Sequence, residues 1–406
     1  MSNNNSNKAY IIDSVRTPVG KWGGTLSSVR PDDMAALTLK EIVKRNPEIP
    51  TEKIEDVILG CANGAGEDNR NVARMAVLLA DLPVTIPGET VNRLCSSGLA
   101  SIVHAGRAIR LGEGDIFIAG GVESMTRAPY VMSKSGMAFG RDSKIYDTSI
   151  GWRFVNSKMN KIFGTEGMGE TAENVAEQFD ISREDQDSFA LWSQQKATKA
   201  MESGRLAKEI MSVEIPQRKK DPIIFSNDEF IRTNATIEGF EKLRPAFRSG
   251  GTVTAGNSSG INDGACAVLM AGDFAVKEYN LKPMSKIISS AVAGVEPRIM
   301  GTGPIEAVNK ALYRAGLTWD DVDILELNEA FASQALSCTR TWGLDDRDPR
   351  INPNGGAIAI GHPLGMSGAR LAGAASIELH EQDKQFAVVT MCVGVGQGYA
   401  AVIERV

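Results

Sequence analysis

Apolar and polar positions along the 406-residue chain follow two periods. Short apolar runs stopped by glycine read as strands, and stretches with apolar residues three and four apart read as helices. The first run, Ala9-Tyr10-Ile11-Ile12, predicts a strand. Leu37, Leu39, Ile42 and Val43 give apolar faces to a helix over Thr38–Lys44. Asp56–Gly60 reads as a strand closed by glycine, and Asn71–Leu79 as a helix. Leu99, Ile102, Val103 and Ile109 stand at helical spacing, and Asp115–Gly121 is an apolar run suited to burial on both faces. Strands alternating with helices predict an α/β fold with a mostly parallel sheet.

The C-terminal part repeats this order. A helix over Ile305–Ala315 leads to Asp323-Ile324-Leu325, which echoes Asp56-Val57-Ile58 at an offset of 267. Phe386-Ala387-Val388-Val389 echoes Ile116-Phe117-Ile118-Ala119 at an offset of 270, and there Gly98 falls on Gly368 near a helix start. A duplicated α/β unit explains the near-constant offset; the alternative is that any two βα units look alike. The intervening stretch is richer in Met, Ser and charge, with a helix-like Arg183–Glu202 and the basic run Arg218-Lys219-Lys220. The predicted organisation is a first half over 1–122 completed by 252–275, an inserted loop domain over 123–251, and a second half over 276–406. Such insertions commonly shape substrate sites.

Composition narrows the possible functions. Apolar residues make up 42% and charged residues 23%, enough to fill a sizeable core. A net charge of −6 argues against nucleic-acid binding, though not against a local basic patch for an anion. The first eight residues lack the apolar stretch of a secretory signal, and no run of about 20 apolar residues could span a membrane. The five cysteines, Cys61, Cys95, Cys266, Cys338 and Cys392, are scattered without a CxxC pair. A disulfide framework and a metal site are both poor readings, so reduced thiols in a cytoplasmic enzyme are expected.

Cys95 stands in NRLCSSGLAS, directly before a predicted helix. Helix N-termini present free N–H groups that stabilise an anion, and with a nearby His they would be expected to lower a thiol pKa from about 8.5. The alternative is a buried structural cysteine. Only three histidines exist: His104 within the following helix, His380 at a charged helix end, and His362 on the glycine-rich NPNGGAIAIGHPLGMSGAR. His362 is the candidate base, with a surface loop residue as the alternative. Cys392, in TMCVGVGQG, ends an apolar strand, where α/β sheets place ligands, and the N–H of Gly394 could face a developing oxyanion. The glycines there run into another strand, the wrong context for a dinucleotide fingerprint. Asn328, in ELNEAFASQA, could cap a helix or position a water. No GxSxG elbow is present, and a Cys-His hydrolase would leave Cys392 unused.

With these motifs in place, the chain resembles the thiolase family over nearly its whole length. The resemblance rests on NRLCSSGL, GGVESM, TAEN, GTVTAGNSSGINDGA, NEAFA, GGAIAIGHPLGMSGAR and CVGVGQG, in that order. It implies a five-layered αβαβα fold built from two duplicated halves with an inserted loop domain. It also implies reversible acyl transfer between 3-ketoacyl-CoA plus CoA and acyl-CoA plus acetyl-CoA. In that scheme Cys95 becomes acylated, His362 activates it and helps hold an oxyanion, Cys392 moves the α-carbon proton, and Asn328 fixes a water. The N–H groups of Cys95 and Gly394 form the other oxyanion hole. Arg232 is then a contact to the nucleotide of coenzyme A and Ser259 a contact to pantetheine, with Met168, Phe247 and Phe331 as tunnel walls. Coenzyme A is a substrate, no bound cofactor is implied, and the assembly is a homodimer or homotetramer. A decarboxylating ketosynthase would need two active-site histidines, and a non-catalytic relative would lack one of the four side chains.

IYDTSIGWRFVN, residues 145–156, and the ending GVGQGYAAVIERV resemble the 3-oxoadipyl-CoA thiolases of aromatic catabolism. Gly169 departs from that subgroup, which tends to carry proline there, and the Met168-Gly169 pair is nearer to acetoacetyl-CoA thiolases. Gly167 stands where the biosynthetic enzymes often carry His. A dicarboxylic acyl chain would require a basic residue in the pocket; Arg153 is the candidate, with a loop salt bridge as its alternative role. Condensation of two acetyl-CoA remains the alternative function.

Overall fold

The computed structural model describes residues 7–406, so most of the polar start of the chain (residues 1–6) lies outside the described residues. The first half contains β1 Tyr10–Arg16, β2 Gly20–Lys21, α1 Pro31–Arg45, β3 Asp56–Gly60, α2 Val72–Leu79, β4 Gly88–Val91, α3 Ser97–Leu111 and β5 Ile116–Ser124. An inserted region follows, with the hairpin β6 Tyr130–Met132 and β7 Ile145–Asp147, and then α4 Ser157–Phe163, α5 Met168–Gln178 and α6 Arg183–Glu202. It ends in the hairpin β8 Val213–Gln217 and β9 Lys220–Phe225, followed by α7 Ile237–Glu241. The chain returns to the first half with β10 Asn262–Ala271 and α8 Asp273–Glu278. The second half contains β11 Ser285–Gly294, α9 Gly303–Ala315, β12 Ile324–Leu327, α10 Ala332–Thr341, α11 Ala357–Ile360, α12 Leu364–Glu381, β13 Phe386–Val393 and β14 Gln397–Arg405.

The strands run in the order β4-β3-β5-β10-β1-β11-β14-β13-β12. Only Tyr10 opposite Lys286 and Ile11 opposite Ser285 join β1 to β11. From that seam outward the same order occurs twice: β1, β10, β5, β3 on one side and β11, β14, β13, β12 on the other. The expectation of a mostly parallel sheet is corrected. Only β3–β4, β3–β5 and β12–β13 pair in parallel, while the pairs involving β10, β11 and β14 are antiparallel. A run buried on both faces looks the same whichever way its neighbour points, so its composition does not encode direction.

Alternation along each strand builds the layers. In β5, Ile116, Ile118 and Val122 pack with α1 and α2 residues, while Phe117 and Ala119 face a second cluster containing Leu99 and Leu371. In β13, Ala387, Val389 and Met391 join that same central cluster, while Val388 faces Val308 and Leu336 of α9 and α10. The helices α3 and α12 therefore lie between two sheets, each covered outside by further helices. This is the five-layered arrangement.

The central helices touch at glycines. A Cβ on Gly98 would lie 2.5 Å from the Gly365 carbonyl oxygen, and one on Gly368 would lie 2.4 Å from the Leu99 nitrogen. The obstacles are backbone and cannot turn aside. Helix propensity alone would make Gly368→Ala stabilising by up to about 1 kcal/mol. The crossing should reverse that sign, giving a loss of about 1–3 kcal/mol in chemical denaturation. An unchanged or increased stability would show that the two helices have room to part.

Candidate active site

Both central helices begin at one place. The turn before α3 is held by Ser97, whose Oγ donates to the Leu94 carbonyl at 2.6 Å and accepts the Arg93 N–H at 2.9 Å. Leu94 adopts a left-handed φ of 47°, an uncommon conformation for a branched residue, and it delivers Cys95 just ahead of the helix. Across the site, Val395 has a φ of 63° in the turn between β13 and β14. That turn aims the Gly394 N–H at the Cys95 sulfur, which also accepts a hydrogen bond from its own N–H. Cys392, near the end of β13 and two residues before Gly394, is buried and close enough that an ionised Cys95 would push its thiol upward.

Cys95 does not rest as a thiolate. Part of the residue reaches solvent, but the sulfur lies deep enough that burial pushes its pKa up to about 11, against the two N–H groups that lower it. This corrects the expected lowering, because desolvation outweighs the helix end. Burial raises Cys392 well above an ordinary thiol, with the neighbouring Cys95 as the next cause.

His362 comes from the other half. Its backbone N–H donates to Asn262 Oδ1 at 3.0 Å. Its Nδ1 lies 2.6 Å from Ser367 Oγ, which also donates to the Pro363 carbonyl at 2.8 Å. Asn328 Nδ2 lies 3.3 Å from Nε2. With the amide and the hydroxyl donating in this way, Nδ1 carries the proton and Nε2 presents a lone pair. Burial, followed by the Arg370 charge, lowers the His362 pKa to about 3, so the ring is neutral at neutral pH. Among the described residues no hydrogen bond joins His362 to Cys95. Asn328 Oδ1 is buried without a partner, as suits an acceptor reserved for a ligand or water.

The expected apolar walls also converge. Met168 packs on the cluster of Cys392, Phe331 and Met300. The rings of Phe247 and Phe331 meet edge to face at 6.1 Å. Phe247 lies where a Cβ on Gly169 would be, 2.0 Å from its ring. Ser259 donates its N–H to Ala330, beside Phe331. Arg232 is exposed, with its guanidinium 5.4 Å from the Phe230 ring, and Phe230 packs over Gly260 next to Ser259. His104 is half-buried along α3 and His380 is exposed.

Two buried acids in the quoted motifs received no role from the sequence. Glu123 accepts N–H bonds from Ala62 and Gly365, each at 2.9 Å, and from Asn63 at 3.1 Å. It thereby ties a first-half loop to the start of α12, and burial raises its pKa to about 7. Glu329 accepts from Ser193 at 2.6 Å and Asn352 at 2.7 Å, anchoring α6 of the insertion. A lone acid ending an apolar strand was the available signal for Glu123. Cys61, Asp68 and Glu123 could group ligand atoms within 4.8 Å, but Cys61 already donates to Asp68, and Glu123 is engaged by the three N–H groups.

Comparisons agree with this geometry. Residues 9–273 match the family model described as thiolase, N-terminal domain, and residues 281–405 match thiolase, C-terminal domain. The 3-oxoadipyl-CoA/3-oxo-5,6-dehydrosuberyl-CoA thiolase of Escherichia coli is 57% identical over 98% of this chain and 100% of its own. A beta-ketoadipyl-CoA thiolase of Acinetobacter baylyi is 56% identical over 98% of this chain and 99% of its own. The crystal structure of the Bacillus anthracis acetyl-CoA acetyltransferase superposes with a TM-score of 0.92 at 38% identity, covering 100% of both chains.

Two outcomes follow. Because the resting thiol is raised to about 11, its anion grows as pH rises, so alkylation of Cys95 by iodoacetamide should climb through pH 7–9; a plateau below pH 8 would reveal a preformed thiolate. Ser367→Ala should cut kcat on the order of 10-fold or more, by freeing the His362 ring and its tautomer. A loss confined to KM would contradict that role.

Proposed function

The chain belongs to the thiolase family, and on that footing we propose that it catalyses reversible thiolysis of 3-oxoadipyl-CoA or a similar 3-ketoacyl-CoA. The observation that carries the reading is the proximity of two thiols: Cys95 receives the Gly394 N–H, and buried Cys392, two residues before Gly394, lies close enough to feel the Cys95 charge. A hydrolase needs the first thiol and has no use for the second.

Nε2 of His362 takes the Cys95 proton as the sulfur attacks the 3-keto carbon. The resting thiol is neutral, so this transfer accompanies attack. The oxyanion is received by the N–H groups of Cys95 and Gly394, each such donor being worth about 3–4 kcal/mol. The bond between C2 and C3 then breaks. Acetyl-CoA leaves as an enolate, with His362 and a water on Asn328 near its oxygen, and Cys392 protonates its carbon. The acyl group stays on Cys95 until the thiol of a second coenzyme A attacks, its proton passing to the Cys392 thiolate while His362 returns its proton to the departing Cys95 sulfur, which restores all three groups. With 3-oxoadipyl-CoA the products are succinyl-CoA and acetyl-CoA. No bound cofactor or metal enters this scheme.

Arg232 and Ser259 are read as contacts to coenzyme A, and Met168, Phe247 and Phe331 as walls of its tunnel. The names of the relatives support the dicarboxylic substrate. Condensation of two acetyl-CoA is the second reading, favoured by the Met168-Gly169 pair under Phe247. We place the enzyme in the cytoplasm, as five free cysteines and the lack of any described helix apolar enough to cross a membrane support. The exposed Tyr130, Met132 and Phe139 support burial against further copies in a homodimer or homotetramer.

Purified protein should convert 3-oxoadipyl-CoA to succinyl-CoA and acetyl-CoA only when CoA is present. Turnover without CoA, or none with any 3-ketoacyl-CoA, would overturn the reading. Cys392→Ser should still be acylated at Cys95 by acetyl-CoA in mass spectrometry, yet catalyse carbon–carbon chemistry about 100-fold or more slowly. Failure to acylate would refute the division of labour between the thiols.

A further inference from the structure

A substrate whose acyl chain ends in a carboxylate carries a second charge into an apolar tunnel. Burying that charge without a partner is costly, so a site built for it must offer a cation. The arginines around the tunnel differ in what already satisfies them. Arg248 is held by Glu170 at 2.9 Å, Glu177 at 3.3 Å and Asn174 at 2.6 Å. Arg298 pairs with Glu166. Arg93, two residues before the nucleophile, is turned onto β14, with Gln397 Oε1 at 3.2 Å and the Tyr399 ring at 5.4 Å. Arg370 is buried in α12 behind His362, where its charge helps keep that ring neutral.

Among the described residues Arg153 shares with Arg93 the lack of an acidic partner, but it is not stacked on a ring. It is half-buried, and among the described residues it has no acidic partner. Its one hydrogen bond there runs from Nη2 to the amide oxygen of Asn63 at 3.2 Å. The loop salt bridge considered as its alternative role is therefore not what the structure contains. A guanidinium has five N–H donors, always charged, in a fork that matches a carboxylate. Most of that fork is uncommitted.

Its neighbours connect it to the segment that carries Met168 on one side and to the core loop held by Glu123 on the other. Trp152, the preceding residue, donates Nε1–H to the Glu166 carbonyl at 3.2 Å, just before Gly167 and the tunnel-wall residue Met168. On the other side Asn63 is held at its backbone N–H by Glu123, the acid that also grips Gly365 beside the His362 loop and acts on the Cys95 thiol. Asn63 is itself fixed by its amide, which donates to the carbonyl and hydroxyl oxygens of Thr148 at 3.3 and 3.2 Å.

We propose that Arg153, oriented by Asn63, is the receptor for the terminal carboxylate of a dicarboxylic 3-ketoacyl-CoA, and so sets the preference for that class over uncharged chains. This rests on the thiolase reading above and names the substrate feature it selects. The amide oxygen of Asn63 holds the guanidinium without neutralising it, which leaves the full charge for the ligand. Three carbons beyond the carbonyl that Cys95 attacks, a carboxylate would form a bidentate pair with the free edge of the fork.

The test is the ratio of kcat/KM for 3-oxoadipyl-CoA to that for 3-oxohexanoyl-CoA, which has the same chain length without the second charge. In the wild-type enzyme the ratio should exceed one. Arg153→Met should lower it about 10-fold or more, as expected when one partner of a half-buried charge pair is truncated. Arg153→Lys should recover part of it, and Asn63→Ala, which releases the guanidinium from its one holding contact, should lower the ratio in the same direction but less than Arg153→Met does. Equal losses on both substrates in Arg153→Met would make the residue a loop clamp and overturn the proposal while leaving the thiolase reading intact. So would a fall in the ratio with Arg93→Met but not with Arg153→Met. A wild-type ratio at or below one would instead remove the dicarboxylic reading itself.

Discussion

The close crossing of α3 and α12 is the constraint on which the rest of the molecule depends. Gly98 and Gly368 occupy matching places in the two halves, and each faces the other helix's backbone rather than its side chains. Only that approach brings two helix N-termini to one point. Cys95 stands just ahead of the first, and His362 just ahead of the second. Each half supplies what the other lacks: Cys95 from one, and His362, Cys392 and the amide of Asn328 from the other. Separating the helices by the width of a methyl group would move these groups apart, and misplacements of that order cost rate steeply.

The same crossing explains the electrostatics. Two sheets and further helix layers bury the site from both sides, so the central layer is dry. Dryness raises both thiols and lowers the imidazole. The free site is accordingly a set of neutral groups with fixed dipoles. Glu123, itself raised to about 7 by burial, accepts three backbone N–H bonds that tie a loop of the first half to the first turn of α12. A neutral resting state fits a chemistry in which charge appears only during reaction, where preorganised N–H groups act in a low dielectric.

Much of this was legible in the chain. The strand over Asp56–Gly60 and the helix over Arg183–Glu202 fall where the periodicity put them, because one is a bounded apolar run and the other is capped by Ser182. The repeat is visible in the offsets, which align Gly98 with Gly368 at a spacing of 270. Strand direction was hidden, since burial on both faces erases the pattern that would distinguish parallel from antiparallel neighbours. The pKa of Cys95 was misjudged in sign because a helix N-terminus is a local feature, whereas desolvation is set by layers hundreds of residues away. Glu123 is marked in the sequence only as a lone acid ending an apolar strand, because the loop and helix it joins lie far away along the chain; Ser367 is one hydroxyl among the small residues of its helix, and its contact to the His362 ring appears only once the loop is folded. For Arg153 the sequence left two roles open, and the absence of an acid within reach is a property of the folded loop alone.

The division between a duplicated core and an inserted region also divides the tasks. The core residues are locked by backbone contacts on every side, so they have little freedom to adapt to different acyl chains. The inserted region has that freedom. Its helix α5 begins at Met168, its loop carries Arg153, and Phe247 reaches into the space that Gly169 leaves by having no side chain. A residue with a Cβ at 169 would have to displace that ring, which also touches Phe331 on the rigid side. In the proposed reaction the apolar walls and the distal charge come from neighbouring stretches of this one segment, while the thiols belong to the core. Selectivity among chains can then change without disturbing the thiols, because the segment that reads the tail is not the segment that breaks the bond.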